Sequence, residues 1–152
     1  TKRLSAHLIQ NRLNNPIDGT TPDFVEETTN TGGSSAAKYM TRPVILENTS
    51  TSLDIRISAN IRSTSAVKMY YRATGADDVR KLGDVAWRGF NDDGTPDSAV
   101  TATDDNFTFR ENKFRVSYLP GFTAFQLKVV MTGTNSSYPP LIKDMRGIAL
   151  AV

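Results

Sequence analysis

His7 is the one histidine of this 152-residue chain, and cysteine is absent. No Ser-His-Asp or Cys-His arrangement can therefore be assembled, and neither thiolate nor His-rich metal coordination is open to it. Carboxylates are what remain for acid–base work. Asp77-Asp78, Asp92-Asp93 and Asp104-Asp105 are adjacent pairs, but each sits in a polar turn, where Asp is favoured for hydrogen bonds to its own backbone. A glycosidase pair is set by a separation across a cleft that sequence does not encode. Asn91-Asp92-Asp93-Gly94-Thr95-Pro96-Asp97 has the oxygen density for Ca²⁺, yet lacks the alternate-residue acidic spacing of an EF-hand loop and reads as a turn. Gly75 and Gly83 form no phosphate-cradling motif. The expectation is a protein that is not an enzyme, with no catalytic residues, no metal and no cofactor.

Aromatic side chains are the binding groups left. An exposed Tyr or Trp stacks on a sugar ring while its polar edge meets hydroxyls. Tyr39, Tyr70, Trp87 and Tyr138, together with Pro43 on an expected edge strand, are the candidate partner or glycan contacts. Tyr70 points opposite to Met69 and Tyr71 and is the better surface candidate, whereas Trp87 shares a face with Val85 and is more often core. Three tripeptides, at Asn48, Asn106 and Asn135, fit the glycosylation acceptor, a pattern common by chance.

The elements that position these residues fall into two regions. Residues 1–37 are rich in Thr, Asn, Gly and Ser and carry Pro16, Pro22 and the Gly32-Gly33-Ser34-Ser35 run; they read as an extended N-terminal arm. Leu4, Leu8, Ile9 and Leu13 keep helical spacing, which predicts a short amphipathic helix over 3–13, marginal without a surface to lie on. Thr1 opens the chain in place of Met, as in a processed product or a segment of a longer polypeptide. Lys and Arg are interleaved with Asp and Glu for a net charge of +2, a near balance that argues against nucleic acid as a partner. Apolar runs fall far short of the roughly 20 residues that span a bilayer, so no membrane insertion is expected and the chain reads as soluble.

From residue 38 to 152 the texture is short β-prone runs between turn clusters. Tyr39–Leu46 reads as one strand, placed at an edge or bulge by Pro43. Leu53, Ile55, Ile57, Ala59 and Ile61 alternate with polar residues, and Val67, Met69, Tyr71 and Ala73 do the same after a short turn, suggesting a hairpin. Val85–Phe90 and Phe107–Phe109 read as further strands. Phe114, Val116 and Tyr118 stop at Leu119-Pro120-Gly121, and Phe125, Leu127, Val129 and Met131 resume so soon that the two strands are expected to be antiparallel neighbours. The last run, through Leu150, breaks period near Asp144–Gly147, as a strand with a bulge would. The fold class is all-β: an antiparallel, jelly-roll-like sandwich of about seven or eight strands with an N-terminal arm.

Lys38-Tyr39-Met40-Thr41-Arg42-Pro43-Val44, Val67-Lys68-Met69-Tyr70-Tyr71-Arg72, Trp87, Phe125–Met131 and Pro140-Leu141-Ile142-Lys143-Asp144-Met145-Arg146-Gly147-Ile148-Ala149-Leu150 occur in an order that resembles the C-terminal β-domain of virion structural proteins of contractile-tailed bacteriophages, especially the T-even-like phages of cyanobacteria. Met145 stands where that pattern has Leu. The resemblance covers about residues 38–152. It implies a non-enzymatic structural component of a phage tail, baseplate or fibre, located in the virion, with other virion proteins as partners in a large homo- or hetero-oligomeric assembly. The alternative is a carbohydrate-binding or host-receptor-binding sandwich module that reads a host-surface glycan.

Overall fold

The computed structural model describes residues 25–35, 37–98, 101–135 and 137–151. The helix expected over 3–13, and the arm as far as residue 24, lie outside them. Among the described residues eight strands follow in chain order: β1 (Lys38–Met40), β2 (Val44–Ser50), β3 (Ser52–Asn60), β4 (Ser65–Thr74), β5 (Arg88–Gly89), β6 (Arg110–Val116), β7 (Phe122–Gly133) and β8 (Leu141–Leu150). A short 3-10 turn, Leu82–Asp84, precedes β5.

Side-chain alternation builds two sheets with one core between them. Leu53, Ile55 and Ile57 of β3 are wholly buried, while Arg56 between them is exposed. Val67, Met69 and Tyr71 of β4 and Phe125, Leu127 and Val129 of β7 supply the opposing face. Each such side chain contributes about 1.5–3 kcal/mol by leaving water. The larger sheet runs β1-β7-β4-β5, with β2 on the same side of β7 as β1's pairing partners continue, and the smaller runs β6-β3-β8. All pairings are antiparallel. The expected all-β sandwich is the observed fold.

Several local expectations are corrected. β3 and β4 form no hairpin: β3 pairs with β6 and β8, β4 with β7 and β5, so the turn between them carries the chain from one sheet to the other. The same holds for β6 and β7, which lie in opposite sheets. An arch and a hairpin join identical alternating strands, and only the burial of both apolar faces against each other selects the arch. Leu119 N–H donates to the Thr51 carbonyl at 2.8 Å, tying the second arch down.

Tyr39–Leu46 is two strands separated by residues 41–43, with Pro43 in the exposed break. Thr41 bridges the gap: its N–H donates to the Leu127 carbonyl, and its hydroxyl accepts from Leu127 N–H at 3.0 Å. Val85–Phe90 shrinks to the two residues of β5, and residues 107–109 precede β6 without forming a strand. The bulge in β8 is real but earlier than expected. Asp144 faces Ser58 and Ile142 faces Ala59, so Lys143 is the extra residue.

Candidate functional site

The outer face of the larger sheet is not solvated as an alternating strand would suggest. Gln126, Lys128 and Val130 of β7 point away from the core yet are buried, because residues 25–35 and the segment through Trp87 cover them. Trp87 N–H donates to the Thr28 carbonyl at 2.9 Å. Lys128, with a fully buried side chain, faces Glu27, whose side chain is 2% exposed, at 3.0 Å. The same ammonium donates to the Glu27 carbonyl and lies 5.2 Å from the Tyr70 ring centre and 4.8 Å from that of Trp87. Ser35 N–H and Lys38 complete the carboxylate's partners at 2.8 and 3.4 Å.

Tyr70 and Trp87 therefore belong to an internal anchor. Tyr70 is 4% exposed and Trp87 2%, so neither offers a ring face to a ligand, and the surface placement expected of Tyr70 is corrected. Desolvation, then the neighbouring Glu27, Asp93 and Glu26 charges, push the Tyr70 hydroxyl up to about 12. Burial likewise pulls Lys128 down, against the opposing pull of Glu27.

Arg72 connects this anchor to an open hollow. Its guanidinium stacks on Trp87 at 4.3 Å, grips Gln126 Oε1 through two nitrogens at 2.9 and 2.7 Å, and donates to the Gly83 carbonyl at 3.1 Å. Gln126 is held in turn by donating to the Thr41 carbonyl. On its other side Arg72 lines a hollow of about 240 Å³ with Tyr71, Asp78, Arg80, Arg88 and the turn Leu119-Pro120-Gly121. Gly75 lies at its wall, where a Cβ would sit 2.9 Å from the Gly121 carbonyl oxygen; only glycine lets these two turns meet so closely. Arg80 forks onto Asp78 at 3.0 and 2.7 Å, and that hydrogen bonding holds the Asp78 carboxyl down at about 2. Arg88 lies against the Tyr71 side chain.

Tyr118 stands immediately before the turn that lines this hollow. It is 92% exposed and has φ of 60°, which no other non-glycine residue shares among those described. Simple alternation after Phe114 and Val116 places Tyr118 in the core; the arch instead swings it outward. The sequence signal that could have found it is the turn chemistry of Pro120-Gly121, which ends the strand before Tyr118.

The remaining expected contacts are dispersed. Tyr39 is exposed on β1 opposite Val129, Pro43 is exposed beyond it, and Tyr138 is 46% exposed with Arg62 4.7 Å over its ring. The acidic pairs serve their own turns. Asp78 accepts from Arg80 N–H, Asp93 from the Thr95 N–H and hydroxyl, and Asp105 from the N–H groups of Phe107 and Thr108. Asp144 and Arg146, which share a strand face, pair at 3.3 Å within a surface ion network that includes Glu111 and Arg56. Among the described residues no group of three or more His, Asp or Glu side chains is placed to hold a metal ion.

No protein-family model matches the chain, and no curated protein does. Among solved structures it is similar to the CBM22-1 xylan-binding domain of Paenibacillus barcinonensis Xyn10C, with 12% identity and a TM-score of 0.37 over 67% of this chain. The match spans 57% of that domain. A likeness of that size transfers neither residue roles nor ligand. The expectation of a phage tail or baseplate component, with a virion location and virion proteins as partners, is corrected: the comparisons return a carbohydrate-binding module and no tail, baseplate or fibre protein.

Proposed function

We propose that this chain is a non-catalytic carbohydrate-binding module, with a sugar ring laid on Tyr118 and its polar substituents turned to the guanidinium groups of the neighbouring hollow. The observation that carries this reading is the placement of Tyr118. The residue is 92% exposed, so it gains almost nothing from burial, while its left-handed backbone costs about 1–2 kcal/mol. Such strain, on an aromatic left almost wholly in solvent, suits a residue kept for contact with something outside the chain. Tyrosine gives a large, rigid face at low entropy cost.

The hollow supplies what stacking lacks. Arg72 is locked by Gln126, Gly83 and Trp87, and Arg80 by Asp78, so donors are held in orientation before a ligand arrives. Preorganisation of this kind reduces the entropy lost on binding. The bonds holding Arg72 trace back through the buried anchor, which makes residues 25–35 a support for the site.

Affinity electrophoresis through gels containing soluble polysaccharides tests the reading. Retardation by at least one polysaccharide class is expected, with a loss of about tenfold or more in Tyr118→Ala, equivalent to about 1.4 kcal/mol, and no loss of folding. Absence of retardation by every polysaccharide, or equal retardation of wild type and Tyr118→Ala, would overturn it.

A further inference from the structure

The hollow beside Tyr118 is electrostatically lopsided. Three guanidinium groups, Arg72, Arg80 and Arg88, line it against one carboxylate, Asp78. That carboxylate is already matched by Arg80 in a two-point hydrogen bond. Arg72 is bound by an amide oxygen and by backbone carbonyls, all neutral acceptors that leave its charge in place. Arg88 is exposed and rests on the Tyr71 side chain. Among the described residues neither Arg72 nor Arg88 forms an ion pair. Asp84, outside the hollow, offsets part of the Arg72 charge, so the Arg88 guanidinium is the wall's unmatched charge, although the whole chain carries only +2.

Resting on the carbohydrate reading, we infer that the preferred ligand is an anionic glycan, whose carboxylate or sulfate group enters the hollow to pair with Arg88 while an adjoining sugar ring stacks on Tyr118. The Arg72 and Arg80 forks are engaged by Gln126 and Asp78, which leaves Arg88 to meet a carboxylate or sulfate, and a planar guanidinium does so with charge-assisted bonds about twice as strong as neutral ones. A neutral polysaccharide can use the stacking face but leaves the Arg88 charge unmatched. The division of labour follows: Tyr118 serves any sugar the site accepts, and Arg88 selects for charge.

The experiment compares wild type, Tyr118→Ala and Arg88→Gln against polygalacturonate and alginate as carboxylate polymers, dextran sulfate as a sulfated one, xylan and dextran as neutral ones, and a duplex DNA oligonucleotide as a polyanion. At least one anionic glycan is expected to bind about tenfold or more tighter than either neutral polymer. Arg88→Gln should remove that advantage, bringing the anionic glycans down to the level of the neutral polymers, whereas Tyr118→Ala should weaken binding of both classes. The carboxylate and sulfate arms identify which group is read. Tyr118-dependent binding of neutral polymers with no anionic preference overturns this inference and leaves the carbohydrate reading standing. Binding of DNA as tight as that of the anionic glycans, insensitive to Tyr118→Ala, reduces the hollow to a charged patch and overturns the inference. No binding of any glycan overturns both.

Discussion

Replacing Lys128 with Met removes a charge from the anchor beneath the site while keeping the length of the side chain. Lys128 has no exposed side-chain surface and Glu27 only 2%, so the substitution strands a carboxylate where water scarcely reaches. Breaking a buried pair from one side costs about 3–5 kcal/mol. Glu27 retains the Ser35 N–H at 2.8 Å and Lys38 at 3.4 Å, which places Lys128→Met at the lower end, about 3 kcal/mol. For a domain of this size that is a fall in Tm of about 6–12 °C. Adding Glu27→Leu should recover most of the loss, because two apolar groups need no partner and buried pairs are often no better than their apolar replacements. The direction of the Lys128 shift agrees: burial disfavours its charged form more than Glu27 favours it. The folded state then holds this proton less tightly than the unfolded one, so its contribution to stability increases as pH climbs toward the ordinary lysine value. Urea titrations of the single and double variants measure the energies, and amide hydrogen exchange over residues 25–35 reports release of the covering segment. A single variant within about 1 kcal/mol of wild type, or a double variant as unstable as the single, would refute the reasoning.

Tyr118→Gly should leave the unfolding free energy unchanged or raise it by up to about 1 kcal/mol, since relief of the left-handed backbone offsets glycine's greater unfolded entropy; a loss above about 1 kcal/mol by urea titration would mean the ring packs after all. Tyr70 keeps its proton to about pH 12 in the folded state against 10.0 for a free tyrosine. Its contribution is therefore intact below pH 10 and lost as pH rises between those values, which an ultraviolet phenolate titration will detect as a late ionisation that Tyr70→Phe lacks. Asn112 is 1% exposed, and neither its Nδ2 nor its Oδ1 has a partner. Asn112→Leu should accordingly stabilise by about 1–3 kcal/mol in thermal or urea denaturation, and destabilisation would show that the amide is satisfied.

What was legible in the sequence was the half of each strand that faces the core. Leu53, Ile55 and Ile57, or Phe125, Leu127 and Val129, announce a buried face by alternation, and each is buried as that pattern requires. Strand partnership was not legible, because the connections after Asn60 and after Val116 join the same kinds of strand whether they make hairpins or arches. Pattern also misleads on the outer face of the larger sheet. Gln126, Lys128 and Tyr70 look like solvent residues in a period-2 strand, yet residues 25–35 bury them, a covering that only tertiary structure reveals. For the candidate site, the criterion of an exposed aromatic beside polar groups was sound, but the residues chosen to meet it were not all on the surface. Tyr70 and Trp87 form the anchor, and Tyr118, read as the end of a core strand, is the ring left in solvent. The arginines of the hollow come from β4, β5 and the intervening loop, and nothing in their spacing announces convergence.

Two-dimensional amide NMR of the full chain, titrated in turn with oligosaccharides cut from each polysaccharide named above, tests the carbohydrate site most directly. At least one oligosaccharide should shift the amides of Arg72, Arg80, Arg88 and the 118–121 turn, leaving β8 and the outer face of the smaller sheet unmoved. Shifts confined to that outer face, or none with any oligosaccharide, would contradict a site built around Tyr118.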